Sequence, residues 1–237
     1  MHYPVPLQPG VLIQRYKRFF ADVALDDGTT VTAHCPNPGA MLGTKTPGSR
    51  VWLSRSADPR RKLPLTLELI QAGGTLVGVN TLLPNRIVAE ALAVGAIPEI
   101  SSYDRLRPEV RYDEACRIDF LLESEDRPPC WLEVKSVTLS RTPGLAEFPD
   151  CRTSRGGKHL AALARRVAAG ERAVMLFLIQ RSDCDRFDVA RDLDPPFAAA
   201  LADAAAAGVE VLCYASHLTP EQNTLNRRVP WTPQDRT

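Results

Sequence analysis

Two carboxylates and one amine lie within two apolar segments of the chain. Asp119 belongs to the run RIDFLL (117–122), and Glu133 and Lys135 belong to WLEVKSV (131–137). Side chains alternate between the two faces of a strand, so Glu133 and Lys135 share one face of their segment. If the two segments pair as an antiparallel hairpin across the seven-residue loop SEDRPPC, all three charged groups converge.

Charged groups in apolar strands need a partner, because burying an isolated charge is costly. Carboxylate oxygens are the ligands that Mg²⁺ prefers, and a lysine beside them can orient a water or balance charge. We therefore expect Asp119 and Glu133 to hold Mg²⁺ or Mn²⁺ beside Lys135, as phosphodiester hydrolysis requires. The alternative is a surface salt bridge of Lys135 with one carboxylate, worth about 0–1 kcal/mol.

The segment TSRGGKHLAALARRVAAG predicts a helix near 157–169 with a basic beginning. Arg155, Lys158 and His159 lie around its first turn, where free backbone amides and the helix dipole favour an anion. We expect these three residues to contact a nucleic-acid phosphate. An apolar stripe farther along the same helix must also pack against the core.

The first third of the chain differs from the rest in its pattern and its charge. Short β-prone runs alternate with turn residues, which favours a small OB-like β-barrel over residues 1–84. Residues 1–84 hold nine Lys or Arg and five Asp or Glu, a balance of +4, whereas residues 85–237 hold twenty and twenty-three, a balance of −3. A basic barrel is compatible with nucleic-acid binding, although imbalances of this size are also common on solvated surfaces.

Basic and aromatic residues interleave in the run RYKRFF, as they do on single-strand-binding barrels. We expect Arg15, Lys17 and Arg18 to contact nucleic acid, and we expect Phe19 and Phe20 to pack in the core.

The rest of the chain predicts a second, α/β domain over residues 85–237. Runs that are apolar at nearly every position each follow a helix, as buried parallel strands do. The predicted helices lie near 85–95, 157–169 and 196–207, and the predicted strands lie near 117–123, 131–138, 173–180 and 209–215.

Several classes of protein are not supported by the sequence. The six cysteines form no CxxC pair, so we expect buried reduced thiols and neither a zinc site nor a disulfide framework. No GxSxG, P-loop or GxGxxG motif is present. The N-terminus does not resemble a signal peptide and no stretch is long enough to span a membrane, so we expect a cytoplasmic protein with no membrane partner.

A set of motifs in order along the chain resembles the sugar fermentation stimulation protein A family. They are HCPNPGAM (34–41), RIDF (117–120), LEVKSVTL (132–139), FPD with TSRGGKHL (148–160) and GERAVMLFLIQR (170–181). The D…ExK spacing also resembles the PD-(D/E)XK nuclease superfamily.

This resemblance implies a two-domain α+β protein, with an N-terminal OB-like barrel and a C-terminal α/β, restriction-endonuclease-like domain whose mixed sheet is flanked by helices. By matching position, it implies that Asp119, Glu133 and Lys135 are the metal-binding and catalytic residues and that Glu90 is a further, helix-borne carboxylate. It also implies DNA binding and a role connected with sugar (maltose) metabolism genes.

We therefore expect a DNA-binding protein with a Mg²⁺-dependent phosphodiesterase site, acting through backbone contacts with weak sequence specificity. The alternative from a different class is a non-catalytic DNA-binding regulator, and a homodimer is kept open as its assembly. A sugar-handling enzyme, which the family name suggests, has little physical support because the carboxylates do not form an evident acid and base across a sugar cleft.

Overall fold

The computed structural model of the protein describes residues 1–112 and 117–231. Its first six strands form one sheet in the order β3-β2-β1-β4-β5-β6. They are β1 (Gln8–Tyr16), β2 (Phe20–Leu25), β3 (Thr30–His34), β4 (Arg50–Arg55), β5 (Leu65–Ala72) and β6 (Thr75–Gly78). A parallel contact between His34 and Thr66 joins β3 to β5 and closes the first five strands into a barrel.

The barrel forms because apolar residues alternate with polar ones along its strands. Leu12, Val23 and Leu53 point inward and are buried. The two phenylalanines that were expected in this core are not there: Phe20 is half-buried and Phe19 is 43% exposed. The tight turn between β1 and β2, formed by residues with positive φ, directs Phe19 away from the interior.

The rest of the described residues form a second unit with three α-helices and two sheets. Its elements are α1 (Pro84–Ala93), β7 (Arg105–Arg111), β8 (Arg117–Ser124), β9 (Arg127–Val137), β10 (Leu139–Thr142), β11 (Gly144–Phe148), α2 (Ser154–Ala168), β12 (Arg172–Ile179), β13 (Cys184–Val189), α3 (Pro195–Ala206), β14 (Glu210–Leu218) and β15 (Asn223–Arg228), with a 3₁₀ turn at Pro98–Ile100. The larger sheet has the order β15-β14-β12-β9-β8-β7, and a smaller sheet has the order β10-β11-β13.

The larger sheet is mixed and is covered on both faces. β12 runs parallel to β9 and β14, whereas the other neighbouring strands pair antiparallel. Along β12, Met175 and Phe177 pack with the helices α2 and α3, and Val174 and Leu176 pack with α1. This two-sided burial explains why the strand is apolar at nearly every position.

The β8–β9 hairpin is tighter than the sequence suggested. The loop SEDRPPC was expected to connect the two strands, but β8 continues to Ser124 and β9 begins at Arg127, so only two residues lie between them. The strand pairing includes the polar residues Ser124 and Arg127, which pair with each other. The short turn fixes the register with which β8 faces β9.

The beginning of α2 is held by polar contacts and by close packing. Thr153 is the N-cap, and its hydroxyl accepts a hydrogen bond from the Gly156 amide at 3.1 Å. Asp194 accepts hydrogen bonds from the amides of Thr153 at 2.6 Å and of Phe197 at 3.1 Å, which ties α2 to the start of α3. The position of the α2 N-terminus is therefore set by α3.

The two units contact each other through the segment CPNPGAM (35–41) and through the end of β6. Asp150 accepts a hydrogen bond from the Met41 amide at 2.7 Å. The Gly78 amide donates to the Gln180 carbonyl at 2.9 Å. Two of the motifs that carried the family resemblance, HCPNPGAM and FPD, thus meet at this junction.

The described cysteines are free thiols, and the helices are short. Cys35, Cys130, Cys184 and Cys213 are buried, Cys151 is half-buried, and all five are free thiols. Cys116 lies outside the described residues. Within residues 1–112 and 117–231, every helix is too short or too polar to cross a lipid bilayer.

Two neighbouring glycines at the start of α2 provide a matched test of this packing. A Cβ at Gly156 would lie 2.9 Å from two ring atoms of Phe197 and from the Thr153 methyl group, whereas a Cβ at Gly157 meets no described atom within 4 Å. We expect Gly156→Ala to lower the free energy of unfolding by about 1–3 kcal/mol through overpacking. Gly157→Ala, its control, should be neutral or stabilise by up to about 1 kcal/mol. Urea denaturation measures both, and equal midpoints would contradict the packing.

Candidate active site

The hairpin β8–β9 brings the three charged side chains to one place beneath α2. Phe120 pairs with Leu132, and Asp119, one residue beyond this pair, accepts a hydrogen bond from the Val134 amide next to Glu133. Lys135 lies on the same face of β9 as Glu133, and its Nζ donates a hydrogen bond to Glu133 Oε1 at 2.5 Å. The three charged residues are therefore neighbours.

Asp119 is held by one contact from α1 and one from β9. Its Oδ1 accepts a hydrogen bond from Asn85 Nδ2 at 2.8 Å, and its Oδ2 accepts one from the Val134 amide at 2.8 Å. Burial, and then the charge of Glu133, raise the pKa of the Asp119 carboxyl above its ordinary value despite these donors. The site thus brings two carboxylates together against their mutual repulsion.

His159, in the second turn of α2, contacts the carboxylate of Glu133. Its Nδ1 contacts Glu133 Oε1, and its Nε2 lies 3.1 Å from Arg155 Nε. An arginine nitrogen can only donate, so Nε2 is the acceptor and the ring proton lies on Nδ1, facing Glu133. His159 was expected to contact a nucleic-acid phosphate, but it is 3% exposed and orients Glu133 instead.

Glu133 is the central group of the site and is 2% exposed. Burial alone would raise its pKa, but the hydrogen bond of His159 and the charge and hydrogen bond of Lys135 outweigh burial, so the pKa is lowered and the carboxylate is ionised at neutral pH. Both partners bind Oε1, whereas Oε2 is buried and accepts no hydrogen bond from any described residue. A buried carboxylate oxygen without a donor is costly unless another cation satisfies it.

Glu90 lies on α1 but does not take part in this network. Its carboxylate pairs with the N-terminal amine of Met1 at 2.8 Å and with Arg86 at 3.0 Å. These contacts, with the amine contributing most, lower the pKa of Glu90. The structure thus does not place Glu90 with the other carboxylates, because it points to a different side of the helix from Asn85. Asn85 is the α1 residue that contacts Asp119.

The remaining predicted contacts lie at the start of α2 and on the barrel. Arg155 and Lys158 are exposed at the start of α2, and Lys17 and Arg18 are exposed at the turn between β1 and β2. Arg15 is half-buried and donates to the carbonyl groups of residues 37 and 39 at 2.8 and 3.1 Å. Arg15 therefore holds the loop at the junction of the two units.

A cavity of about 290 Å³ opens between the two units, next to the start of α2. Its wall includes Asn37 and Gly39 from the barrel side, and Ser136, Asp150 and Thr153 from the other unit. Thr153 caps α2, whereas Ser136 follows Lys135 along β9 and its side chain leaves the opposite face of that strand. Asp119, Glu133 and Lys135 are not part of the cavity wall.

Asn85 and the role of His159 were missed from the sequence. Asn85 follows the first residue of a helix, where asparagine is common, and nothing local indicates that it faces a strand 34 residues away. His159 stands beside two cations, which suggested a basic surface, and only the helical phase places its ring inside. The apolar spacing of the same helix was the available signal, because His159 precedes the buried Leu160.

The described residues contain no cluster of three or more His, Cys, Asp or Glu side chains arranged to hold a metal ion. Asp119 and Glu133 remain as a pair, and two carboxylates are the protein contribution that a Mg²⁺ site commonly has, with water and substrate oxygens as the other ligands.

Fold and site together define a two-domain α+β protein in which a small barrel adjoins a mixed-sheet domain with a buried carboxylate pair. A family model described as "Sugar fermentation stimulation protein RE domain" matches residues 82–222, and one described as "SfsA N-terminal OB domain" matches residues 13–79. The chain belongs to the sugar fermentation stimulation protein family. These matches confirm the predicted family and the predicted OB domain.

Similar proteins cover almost the whole chain. It is 57% identical to the sugar fermentation stimulation protein homolog of Caulobacter vibrioides, over 98% of this chain and 97% of that one. It is 58% identical to the homolog of Maricaulis maris, over 96% and 97%. A solved structure titled as Pyrococcus furiosus SfsA in complex with Ca²⁺ superposes with a TM-score of 0.88 at 24% identity, over 97% of this chain and 96% of that one, which confirms the fold.

The raised pKa of Asp119 predicts how stability depends on pH in a metal-free buffer. Between the ordinary value of 3.8 and the higher pKa of the folded protein, the folded chain holds this proton more tightly than the unfolded chain. The contribution of Asp119 to the free energy of unfolding therefore falls as pH rises through this window. We expect Asp119→Asn to gain stability relative to the wild type over the same pH rise.

Asp22 provides a control of opposite sign. Hydrogen bonds, first from Gln14 and then from Thr32, lower its pKa, so Asp22→Asn should lose stability relative to the wild type as pH rises. Urea titrations of the three proteins at several pH values measure both slopes. If the difference in the free energy of unfolding between Asp119→Asn and the wild type does not change with pH, the assigned environment of Asp119 is wrong.

Proposed function

We propose that this protein is a divalent-cation-dependent phosphodiesterase that acts on DNA, with Asp119, Glu133 and Lys135 as its active-site residues. The observation that carries the proposal is that Glu133 Oε2 is buried and accepts no hydrogen bond from any described residue, while a second carboxylate, Asp119, is held at the adjoining Val134 amide. Burial, and then the charge of Glu133, raise the pKa of Asp119 at this position. Both features disfavour the site as it stands, and a cation bound between the two carboxylates relieves both.

A structural ion pair does not account for the same features. Lys135 and His159 already compensate Glu133 Oε1, so a purely structural role needs neither Asp119 nor an open oxygen. Hydrogen bonds from Asn85 and Val134 keep Asp119 close to Glu133 rather than turned to solvent. The arrangement maintains a concentration of negative charge, which is the requirement of a cation site and not of a stable core.

Asp119 and Glu133 would hold Mg²⁺ or Mn²⁺, with further oxygens from water and phosphate. The bound cation would polarise the phosphate and lower the pKa of a water ligand. The Ca²⁺ complex of the Pyrococcus furiosus relative supports this choice, because Ca²⁺ and Mg²⁺ both take oxygen ligands.

The chain's own residues would prepare the reaction around that cation. Lys135, held 2.5 Å from Glu133, supplies a positive charge beside the reacting phosphate and orients the attacking water. His159 fixes the rotamer of Glu133 through its Nδ1 proton. Residues that hydrogen-bond a metal ligand without touching the metal commonly have this role. Arg155, Lys158 and the free amides at the start of α2 hold an adjacent phosphate.

A cleavage assay tests this function. In Mg²⁺ or Mn²⁺ we expect the protein to cut at least one of labelled single-stranded, duplex or branched DNA or RNA, and EDTA should abolish cutting. Asp119→Ala and Lys135→Ala should each lower the rate by about 10²-fold or more, since each removes charge stabilisation from the reacting centre. Gel analysis of end-labelled substrates measures these rates.

Asp126→Ala is the matched control for the loss of a carboxylate. Asp126 lies at the exposed turn of the same β8–β9 hairpin and pairs only locally with Arg127, so its replacement should leave the rate unchanged. An active Asp119→Ala protein would overturn the assignment, as would a wild type that leaves every substrate intact in both cations.

The second candidate, a DNA-binding protein without turnover, is favoured by the exposed cations at the barrel turn. It predicts binding in EDTA whose affinity falls with salt because bound counterions are released from the DNA. Replacing Lys17 and Arg18 by Ala should reduce the slope of log Kd against log salt by about one for each phosphate that the variant no longer neutralises. Lys45→Ala, at another exposed position, is the control. Fluorescence anisotropy measures the slopes, and a salt-independent affinity would contradict this function.

A further inference from the structure

The outer surface of the barrel carries a stacked pair of rings that the core does not use. The Phe19 ring lies parallel to the His34 ring, with 6.4 Å between their centroids and 19° between their planes. Phe19 is 43% exposed, one of the largest exposures among the bulky apolar residues of the barrel. Burying such a ring is favourable, so the exposed face of Phe19 offers apolar area that a planar ligand can cover.

His34 forms a neutral partner in this pair. Burial, and then the charge of Arg61, lower the pKa of its imidazole. The ring is therefore unprotonated at neutral pH, and the pair presents a flat aromatic surface. A planar aromatic ligand such as a nucleobase can stack on a surface of this kind.

Cations surround the ring pair on two sides. Lys17 and Arg18 form the turn immediately before Phe19, and both are exposed. Arg61 belongs to a second loop, closed by a hydrogen bond from the Ser56 amide to the Pro64 carbonyl at 2.7 Å, and its charge reaches His34. An aromatic surface flanked by cations is complementary to a base with a phosphate on each side.

The strand before this turn contacts the cavity between the two units. Arg15 of β1 donates hydrogen bonds to the carbonyl groups of residues 37 and 39 at 2.8 and 3.1 Å, and both residues line that cavity. The opposite wall of the cavity includes Asp150 and Thr153 of the second unit. The barrel turn that carries the cations thus follows a strand that contacts the junction of the two units.

We propose that the Phe19–His34 ring pair stacks with an unpaired nucleobase, and that the substrate of Asp119, Glu133 and Lys135 is a single-stranded segment of nucleic acid. The inference rests on the proposed function and specifies its substrate class. A duplex does not fit the ring pair, because the faces of its internal bases are already covered by neighbouring bases. Only an unpaired base, or the end of a duplex, exposes the surface that Phe19 requires.

Binding in EDTA tests this inference without any cleavage. Single-stranded DNA and single-stranded RNA of equal length, each with one 2-aminopurine, are titrated with the full chain, and relaxed circular duplex DNA, which has no ends, is the duplex substrate. We expect the single strands to bind more tightly than the duplex, with quenching of the 2-aminopurine fluorescence on stacking. Phe19→Ala should weaken single-strand binding by about 5- to 150-fold and remove the quenching.

Three further variants separate stacking from folding. Phe19→Leu keeps an apolar side chain but has no ring, so it should fold like the wild type and bind like Phe19→Ala. Phe19→Trp keeps a ring and should retain binding. Val94→Ala changes an exposed apolar residue of the other unit, 78% exposed, and should have no effect. Urea midpoints verify that the variants are folded.

The outcomes separate this inference from the proposed function. Wild-type affinity and quenching in Phe19→Leu, or equal binding of duplex and single strand, would overturn the stacking surface even if the protein cuts DNA in Mg²⁺. Phe19-dependent binding in a protein that cuts nothing would support the stacking surface and overturn the phosphodiesterase. Phe19-dependent binding of either DNA or RNA supports the inference. The nucleic acid that binds more tightly shows whether the site prefers deoxyribose or ribose.

Discussion

The burial of Glu133 beside Asp119 is the constraint on which the site depends. A carboxylate that is 2% exposed needs fixed hydrogen-bond donors, and Lys135 and His159 provide them from β9 and α2. These partners fix how close α2 lies to the hairpin. Both bind one oxygen, so the other oxygen of Glu133 accepts no hydrogen bond from any described residue.

The elements around this pair are held by contacts that reach across the fold. Asp194 caps α3 and also holds the Thr153 amide, so the α2 N-terminus, and with it His159, keeps its place. Asp150 binds the Met41 amide and draws the barrel loop against the second unit. The junction therefore forms the walls of the cavity between the barrel and the second unit.

Local sequence patterns predicted the strands and the faces of their side chains. Contacts between segments distant in the sequence could not be predicted in this way. The apolar run at β12 indicated a strand buried on both faces, and the alternation in the hairpin segments indicated that Glu133 and Lys135 share a face. Glu90 was expected with them because it lies on the preceding helix, but the helical phase turns it towards Met1 and Arg86 and turns Asn85 towards Asp119. Phe19 was expected inside, and a turn with positive φ places it outside.

The sequence by itself determined the division into two domains, which segments form helices and which form strands, and the family. It also determined that the three charged residues lie on paired strands. These follow from periodicity, turn chemistry and motif order, which are local properties of the chain. Only the tertiary structure decided that His159 orients Glu133, that Asn85 positions Asp119, and that one carboxylate oxygen is left without a donor among the described residues. Those facts depend on the angle and distance at which separate helices pack on the sheet, and no short-range pattern encodes that packing.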